Sequence, residues 1–336
     1  MQELWKQRKT WAGYIIVVLA LHLLGFMGLM VAVRADAGFW SLGLLAYTLG
    51  MRHAFDVDHI AAIDNTVRKL VQQKRNPLGV GFYFSLGHSS VVFLMVLAIA
   101  LSVKWIQNEM PFLQHTGKLI GTSVSGIFLL LIGIINLLVL INLFQLFRSM
   151  RSGKHNQNEL EELLEARGLF SRMFKPLFRL ITRSWHVYPL GFLFGLGFDT
   201  ATEVGLMAIS AGAAQSSVSI IGILALPLLF ASGMSLLDTA DGMFMTKAYR
   251  WAFNTPLRKM FYNVTVTSVS VISALLIGMV ELLQIMTERL NLQAPFLQWV
   301  SRLDLGDLGY FLVALFAIAW LVSVIVWKSM KLEQRY

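Results

Sequence analysis

Long apolar runs, separated by short polar stretches, make up most of this chain. The runs cover residues 11–33, 39–63, 78–103, 118–147, 188–212, 218–249, 259–287 and 306–327. Most of them reach or exceed the roughly 20 residues that an α-helix needs to cross a bilayer. The pattern therefore predicts an all-α, polytopic membrane protein with eight transmembrane helices, in contact with the lipid bilayer.

Basic residues are concentrated in the loops on one side of the predicted spans. That side holds most of the 28 Lys and Arg residues and includes the longest loop, 148–187. By the positive-inside rule this side is cytoplasmic, and so are both termini. The loop divides the chain into helices one to four (1–147) and helices five to eight (188–336). Because the net charge of +9 lies in loops, we expect no nucleic-acid partner.

The composition restricts the metal chemistry that the chain can carry out. The chain contains no cysteine, which excludes thiolate metal sites and disulfide bonds. Nitrogen and oxygen ligands remain, with methionine as the one soft donor. The 16 methionines leave copper(I) open as a possible metal ion, although methionine in an apolar helix usually serves packing.

Ionisable residues interrupt several of the predicted spans. Two imidazoles and two carboxylates fall within seven residues of span two, namely His53, Asp56, Asp58 and His59. The other candidates at membrane depth are His22, His88, Asp199, Glu203, Asp238 and Asp241. A charged group there costs about 2.5–3.5 kcal/mol and usually has a function. Imidazole with carboxylate suits nickel, cobalt, copper or zinc, so we expect these ten residues to form a metal-ion pathway.

Helix geometry predicts how these candidates are arranged in depth. A rise of about 1.5 Å per residue places one set near the bilayer midplane: His22, His53, His88 and Asp199. A second set lies closer to the cytoplasm: Asp58, His59, Asp238 and Asp241. An unbroken helix would separate His53 and His59 by about 9 Å along its axis. Either the helix is broken here, or the two histidines serve successive layers.

Some polar residues have a structural alternative. A single histidine in a membrane helix, such as His22, can instead hydrogen-bond a neighbouring helix. Asp64 is expected to cap or bound a helix at the cytoplasmic face. Asn136 is expected to form a hydrogen bond between helices.

Four segments together resemble the nickel/cobalt transporter (NiCoT) family of eight-span secondary permeases. They are 52–60, which contains the H-x4-D-H motif, 86–92, 196–203 and 233–241. The resemblance covers essentially the whole chain and implies high-affinity uptake of Ni²⁺, Co²⁺ or both across the cytoplasmic membrane. The metal would be a transported substrate, not a cofactor. In that family the span-two motif is essential, and a span-one histidine, here His22, tunes nickel against cobalt.

The sequence also bears on energy supply and on rival functions. It lacks the G-x-x-x-x-G-K-[ST] motif, and no ATPase subunit is implied. An inside-negative potential would supply a divalent cation with about 4.6 kcal/mol per 100 mV, with proton coupling left open. An intramembrane metalloprotease would need H-E-x-x-H, which is absent, so we expect no enzyme. Export of the same metals and transport of Mn²⁺, Zn²⁺, Mg²⁺ or protons are the alternatives.

Overall fold

The structure is a computed structural model, and it describes residues 2–101, 103–151, 181–197, 200–215, 218–253, 256–303, 305 and 308–329. Across these residues the chain forms helices and turns without a β-strand, which confirms the predicted all-α class. The helices are α1 (Gln2–Ala35), α2 (Phe39–His53), α3 (Val57–Gln72), α4 (Val80–Leu101), α5 (Val103–Arg151), α6 (Tyr188–Gly195), α7 (Ala201–Ala214), α8 (Ile220–Phe253), α9 (Pro256–Arg289), α10 (Pro295–Ser301) and α11 (Leu308–Ser329).

The apolar helices identify a multi-pass membrane protein. Within the described residues, five segments are long and apolar enough to cross a bilayer: Trp11–Ala35, Val80–Leu101, His115–Leu138, Ile220–Trp251 and Ser268–Arg289. Two shorter apolar helices are Thr202–Ala214 and Leu308–Ile318. The full count of eight spans, the cytoplasmic termini and the division at the loop stay predictions, and residues 152–180 of that loop lie outside the described residues. Helix α5 begins 15 residues before the predicted fourth span, because the polar stretch ahead of that span is also helical.

Helix α8 lies at the centre of the bundle, in contact with α1, α2, α3 and α4. Glycines allow these helices to approach closely, as is common in membranes. Gly50 of α2 lies against the backbone carbonyl of Phe230, and Gly81 of α4 lies against that of Asp238. A Cβ at either glycine would overlap the carbonyl. This close packing brings the Asp238 region of α8 directly against α4.

Predicted span two is broken. Helix α2 ends at His53. Two backbone hydrogen bonds follow, from the N–H of Phe55 to the carbonyl oxygen of Arg52 and from the N–H of Asp56 to that of His53, both at 2.9 Å. Asp56 then has an extended backbone (φ −62°, ψ 139°) at the N-cap of α3. Of the two alternatives offered by the sequence, the broken helix is the one observed. The break places His53 and His59 at the facing ends of two helices, as occurs at the substrate sites of many transporters.

A network of buried polar side chains joins four helices on the α3 side of the break. Asp64 lies in the interior of α3, fully buried, and accepts hydrogen bonds from the hydroxyls of Tyr249, at 2.5 Å, and of Ser270. The expectation that Asp64 caps a helix is therefore wrong. Asn136 of α5 donates to Oδ1 of Asn65 at 2.6 Å, which confirms its predicted interhelical bond. The network joins α3, α5, α8 and α9.

Candidate metal-ion site

Three histidines converge where span two is broken. His53 ends α2, His59 lies in the first turn of α3, and His88 lies within α4. Their ring centroids are 4.6 Å (His53–His59), 4.6 Å (His53–His88) and 4.8 Å (His59–His88) apart. The three residues are 1%, 0% and 3% exposed. One nitrogen from each ring lies within 4.8 Å of the other two, a spacing that allows all three to bind one ion.

A carboxylate completes a compact set of donor atoms. Nε2 of His88 lies 2.8 Å from Nε2 of His53 and 2.9 Å from Oε1 of Glu203. Nε2 of His53 and Oε1 of Glu203 are 4.0 Å apart. These lengths describe a triangle with a right angle at His88. A point midway along its long side is about 2 Å from all three atoms, which is the length of a first-row metal–nitrogen bond.

Carboxylates also contact the other two rings. Oδ2 of Asp56 lies 2.7 Å from Nδ1 of His53, and the hydroxyl of Thr202 lies 3.1 Å from the same nitrogen. Oδ2 of Asp238 lies 3.4 Å from Nδ1 of His59. A carboxylate beside one ring nitrogen favours the proton on that nitrogen and leaves the other nitrogen able to bind a metal. The 2.7 Å contact gives His53 this arrangement, whereas neither ring nitrogen of His59 has a hydrogen-bond partner among the described residues.

The local sequence explains why Glu203 is held in place. Thr200 is the N-cap of α7, and Glu203 is the third residue of that helix, which is the spacing of a capping box. The Thr200 hydroxyl accepts from the backbone N–H of Glu203 at 3.4 Å and lies 2.9 Å from Oε2 of the same residue. The helix N-terminus favours the negative charge. The remaining oxygen, Oε1, is left facing His88.

The structure separates one predicted residue from this cluster. His22 of α1 has Nδ1 2.8 Å from the Val18 carbonyl oxygen and Nε2 3.2 Å from the Tyr47 hydroxyl. These are the contacts of its structural alternative, and His22 is not among the three histidines whose ring nitrogens converge. Its role as a metal ligand stays a prediction. Distance along a helix axis gives depth, but it does not give the direction in which a side chain points.

The remaining predicted residues are His59, Asp58, Asp241 and Asp199. His59 lies beside His53, so its assignment to a separate layer is wrong, because that assignment assumed straight helices. Asp58 accepts the backbone N–H of His59 at 2.9 Å. Asp241 lies about one turn beyond Asp238 on α8. Asp199 lies outside the described residues.

A cavity of about 360 Å³ adjoins the break on the side of α5 and α9. Its walls include Asp56, Asp58, Ser125 and Glu281. Sequence reasoning missed Ser125, Glu281 and the histidine contact of Thr202. Glu281 had a usable signal, since it is the single ionisable residue in an apolar stretch of α9, 271–286.

Apolar helices around a buried imidazole–carboxylate cluster at a helix break are the features of a membrane transporter for a divalent cation. The family is identified by comparison with known proteins. The family model described as high-affinity nickel-transport protein (NicO) matches residues 39–326. The chain belongs to this family, whose members are permeases rather than enzymes, as the resemblance implied.

Named relatives match nearly the full chain. It is 56% identical over 330 residues to a nickel transporter, NixA, of Staphylococcus aureus (strain NCTC 8325 / PS 47), covering 98% of each chain. It is 50% identical over 326 residues to a high-affinity nickel-transport protein of Helicobacter pylori (strain J99 / ATCC 700824), covering 95% of this chain and 97% of the relative. A cobalt transport protein of Rhodococcus rhodochrous is 39% identical over 325 residues, covering 94% and 91%. No solved structure matches.

Proposed function

We propose that this protein imports Ni²⁺, with Co²⁺ as a second substrate, across the cytoplasmic membrane. The observation that carries the proposal is the right-angled set of donor atoms on His53, His88 and Glu203. The nickel and cobalt transporters among its relatives support the choice of substrate. The metal is cargo, bound and released in each cycle.

The donor set favours nickel and cobalt over the alternative cations. Magnesium and manganese prefer oxygen ligands, whereas two or three imidazoles suit nickel, cobalt, copper and zinc. Zinc prefers tetrahedral angles near 109°, but the donors on His53 and Glu203 lie on opposite sides of the central point, with His88 at right angles to both. Right-angled nitrogen and oxygen ligation is typical of nickel(II) and copper(II).

The predicted ligands then divide into separate roles. His53, His88 and Glu203 bind the ion in this conformation, and His59 lies within reach as the next donor. Asp56 orients the His53 ring, and Asp238 faces the His59 ring. Asp58 lies towards the cavity, and Asp241 extends the path along α8. We assign His22 to helix packing with Tyr47, and we retain Asp199 as a ligand candidate from its sequence motif alone.

The membrane potential drives this import in our account. A divalent cation moving inwards gains about 4.6 kcal/mol per 100 mV of inside-negative potential. This corresponds to more than a thousandfold accumulation at equilibrium, since each 1.4 kcal/mol is about tenfold. Protons compete with the metal for the imidazoles and carboxylates, so protonation of the site assists release.

Uptake of radiolabelled nickel into proteoliposomes tests the proposal. We expect saturable, potential-dependent uptake by the wild type and its loss in His53→Ala and His88→Ala. His115→Ala is the matched control, because His115 is exposed on α5 and should leave uptake unchanged. Unlabelled cobalt should compete. Absence of inward transport in folded wild type, or full uptake by His88→Ala, would contradict the proposal.

A further inference from the structure

We propose that the cavity beside the break is a second cation site, a vestibule in which Glu281, Asp58 and Ser125 hold a hydrated divalent cation before it reaches the histidines. The inference rests on the proposed function and adds a step before it. Glu281 and Ser125 lie outside all four motif segments, so the sequence motifs assign neither residue a role.

The charges lining the vestibule favour a cation. Three carboxylates, those of Asp56, Asp58 and Glu281, line it together with one guanidinium, that of Arg52. Glu281, eight residues before the end of α9, is only 7% exposed. A cleft of this charge raises the local concentration of cations.

An orphaned hydroxyl points to a ligand independently of these charges. Ser125 of α5 is 3% exposed and lines the same cavity, and its Oγ has no hydrogen-bond partner among the described residues. A buried hydroxyl without a partner costs about 1–3 kcal/mol. A water molecule of a hydrated ion would supply the missing hydrogen bond.

The volume is large enough for the ion with its first shell of water. Six waters occupy about 180 Å³ at roughly 30 Å³ each. The cavity, at about 360 Å³, accommodates this shell and further water. Water-mediated hydrogen bonds are nearly as favourable as direct ones, so the carboxylates can hold the ion here while it keeps its first shell of water. Direct bonds form only at the three-histidine cluster.

The vestibule adjoins the three-histidine cluster. Asp56 lines the cavity, and its Oδ2 lies 2.7 Å from Nδ1 of His53. On the other side, the Gln284 amide of α9 donates to the carbonyl oxygens of Val300 and Leu303, at 3.2 and 3.0 Å. Gln284 thereby ties the segment that follows α10 to α9 as a wall of the vestibule. An ion leaving the vestibule passes Asp56 and meets the imidazoles.

The first test compares two charge-neutralising substitutions on one helix. Glu281→Gln keeps the side-chain shape and removes one of the three carboxylate charges of the vestibule. Glu288→Gln is the control, since Glu288 lies two turns further along α9 and its 52% exposed side chain pairs with Lys118. We expect Glu281→Gln to raise the half-saturating nickel concentration about tenfold, equivalent to about 1.4 kcal/mol, with a maximal rate within about twofold of wild type. Glu288→Gln should change neither.

The second test does not depend on transport. Because the chain has no cysteine, Ser125→Cys introduces a unique thiol into the vestibule wall. A cationic thiosulfonate reagent should label it about tenfold faster than an anionic reagent of similar size, as expected for a cleft that concentrates cations. Adding Glu281→Gln should reduce this ratio, whereas adding Glu288→Gln should not.

The outcomes separate this inference from the proposed function. If His53→Ala abolishes uptake while Glu281→Gln behaves like Glu288→Gln, the three-histidine site stands and the vestibule site is refuted. Equal labelling by the two reagents refutes the vestibule site even if nickel uptake fails altogether. A cation preference that depends on Glu281, together with a raised half-saturating concentration, supports it.

Discussion

The substitution Asp56→Asn isolates the effect of a carboxylate that acts on the ion through His53. Oδ2 of Asp56 lies 2.7 Å from Nδ1 of His53, and both residues are buried. Asparagine has the same shape and can still accept a hydrogen bond, but it carries no charge. The substitution therefore weakens the control of the His53 tautomer without opening a cavity.

The expected magnitude follows from this geometry. The carboxylate lies about 7 Å from an ion bound to Nε2, and at an effective dielectric constant of about 20 its attraction for a divalent cation is about 5 kcal/mol. Relaxation and solvation offset much of this attraction, and outer partners of metal-binding histidines are typically worth about 10–100-fold in affinity. We therefore expect nickel affinity to fall by about 10–100-fold, which is about 1.4–2.7 kcal/mol.

Equilibrium dialysis of purified, detergent-solubilised protein against radiolabelled nickel measures this change directly. Glu288→Gln removes one exposed carboxylate and serves as the control, with an expected change below about twofold. Thermal unfolding of each variant checks that the protein is folded. If Asp56→Asn binds nickel as tightly as wild type while His53→Ala does not, Asp56 does not orient His53 and the reasoning is refuted.

The remaining predictions concern packing, the buried network and energy supply. Gly87→Ala places a Cβ onto the Tyr188 carbonyl oxygen and should lower the melting temperature markedly. Gly212→Ala is the control, because nothing lies within 4 Å of the added Cβ. Equal melting temperatures for the two variants would contradict the close packing at Gly87. Tyr249→Phe removes a hydrogen bond from buried Asp64 and should cost about 1–3 kcal/mol in thermal unfolding, with nickel affinity unchanged; a tenfold loss of affinity would instead place Asp64 on the metal path. Collapsing the membrane potential in proteoliposomes removes about 4.6 kcal/mol of driving force per 100 mV and should therefore abolish concentrative nickel uptake. Undiminished accumulation would require another energy source.

The sequence predicted those features that depend on residue type within an apolar run. Histidines and carboxylates at membrane depth are costly, so His53, His59, His88 and Glu203 stand out from their surroundings without any structure. The 9 Å separation expected along an unbroken helix also identified the break between α2 and α3 as one of two alternatives.

Features that depend on how helices face one another could not be predicted in this way. The rise per residue predicts about the same depth for His22 and His88. His22 faces Tyr47, however, because rotation about the helix axis is set by packing. Asp64 was expected near a helix end, whereas Tyr249 and Ser270 enclose it from two other helices. Glu281 is the single ionisable residue of the apolar stretch 271–286, but the cavity beside it depends on how α9 faces α3 and α5, which the sequence does not give.

X-ray absorption spectroscopy of the purified, nickel-loaded protein tests the central claim most directly. We expect nitrogen and oxygen neighbours at about 2.0–2.1 Å, with the outer-shell scattering of at least two imidazoles. The imidazole scattering should decrease in His88→Ala, and the His115→Ala spectrum should match that of wild type. A sulfur shell from methionine, or an all-oxygen shell without imidazole, would contradict ion binding by His53, His88 and Glu203.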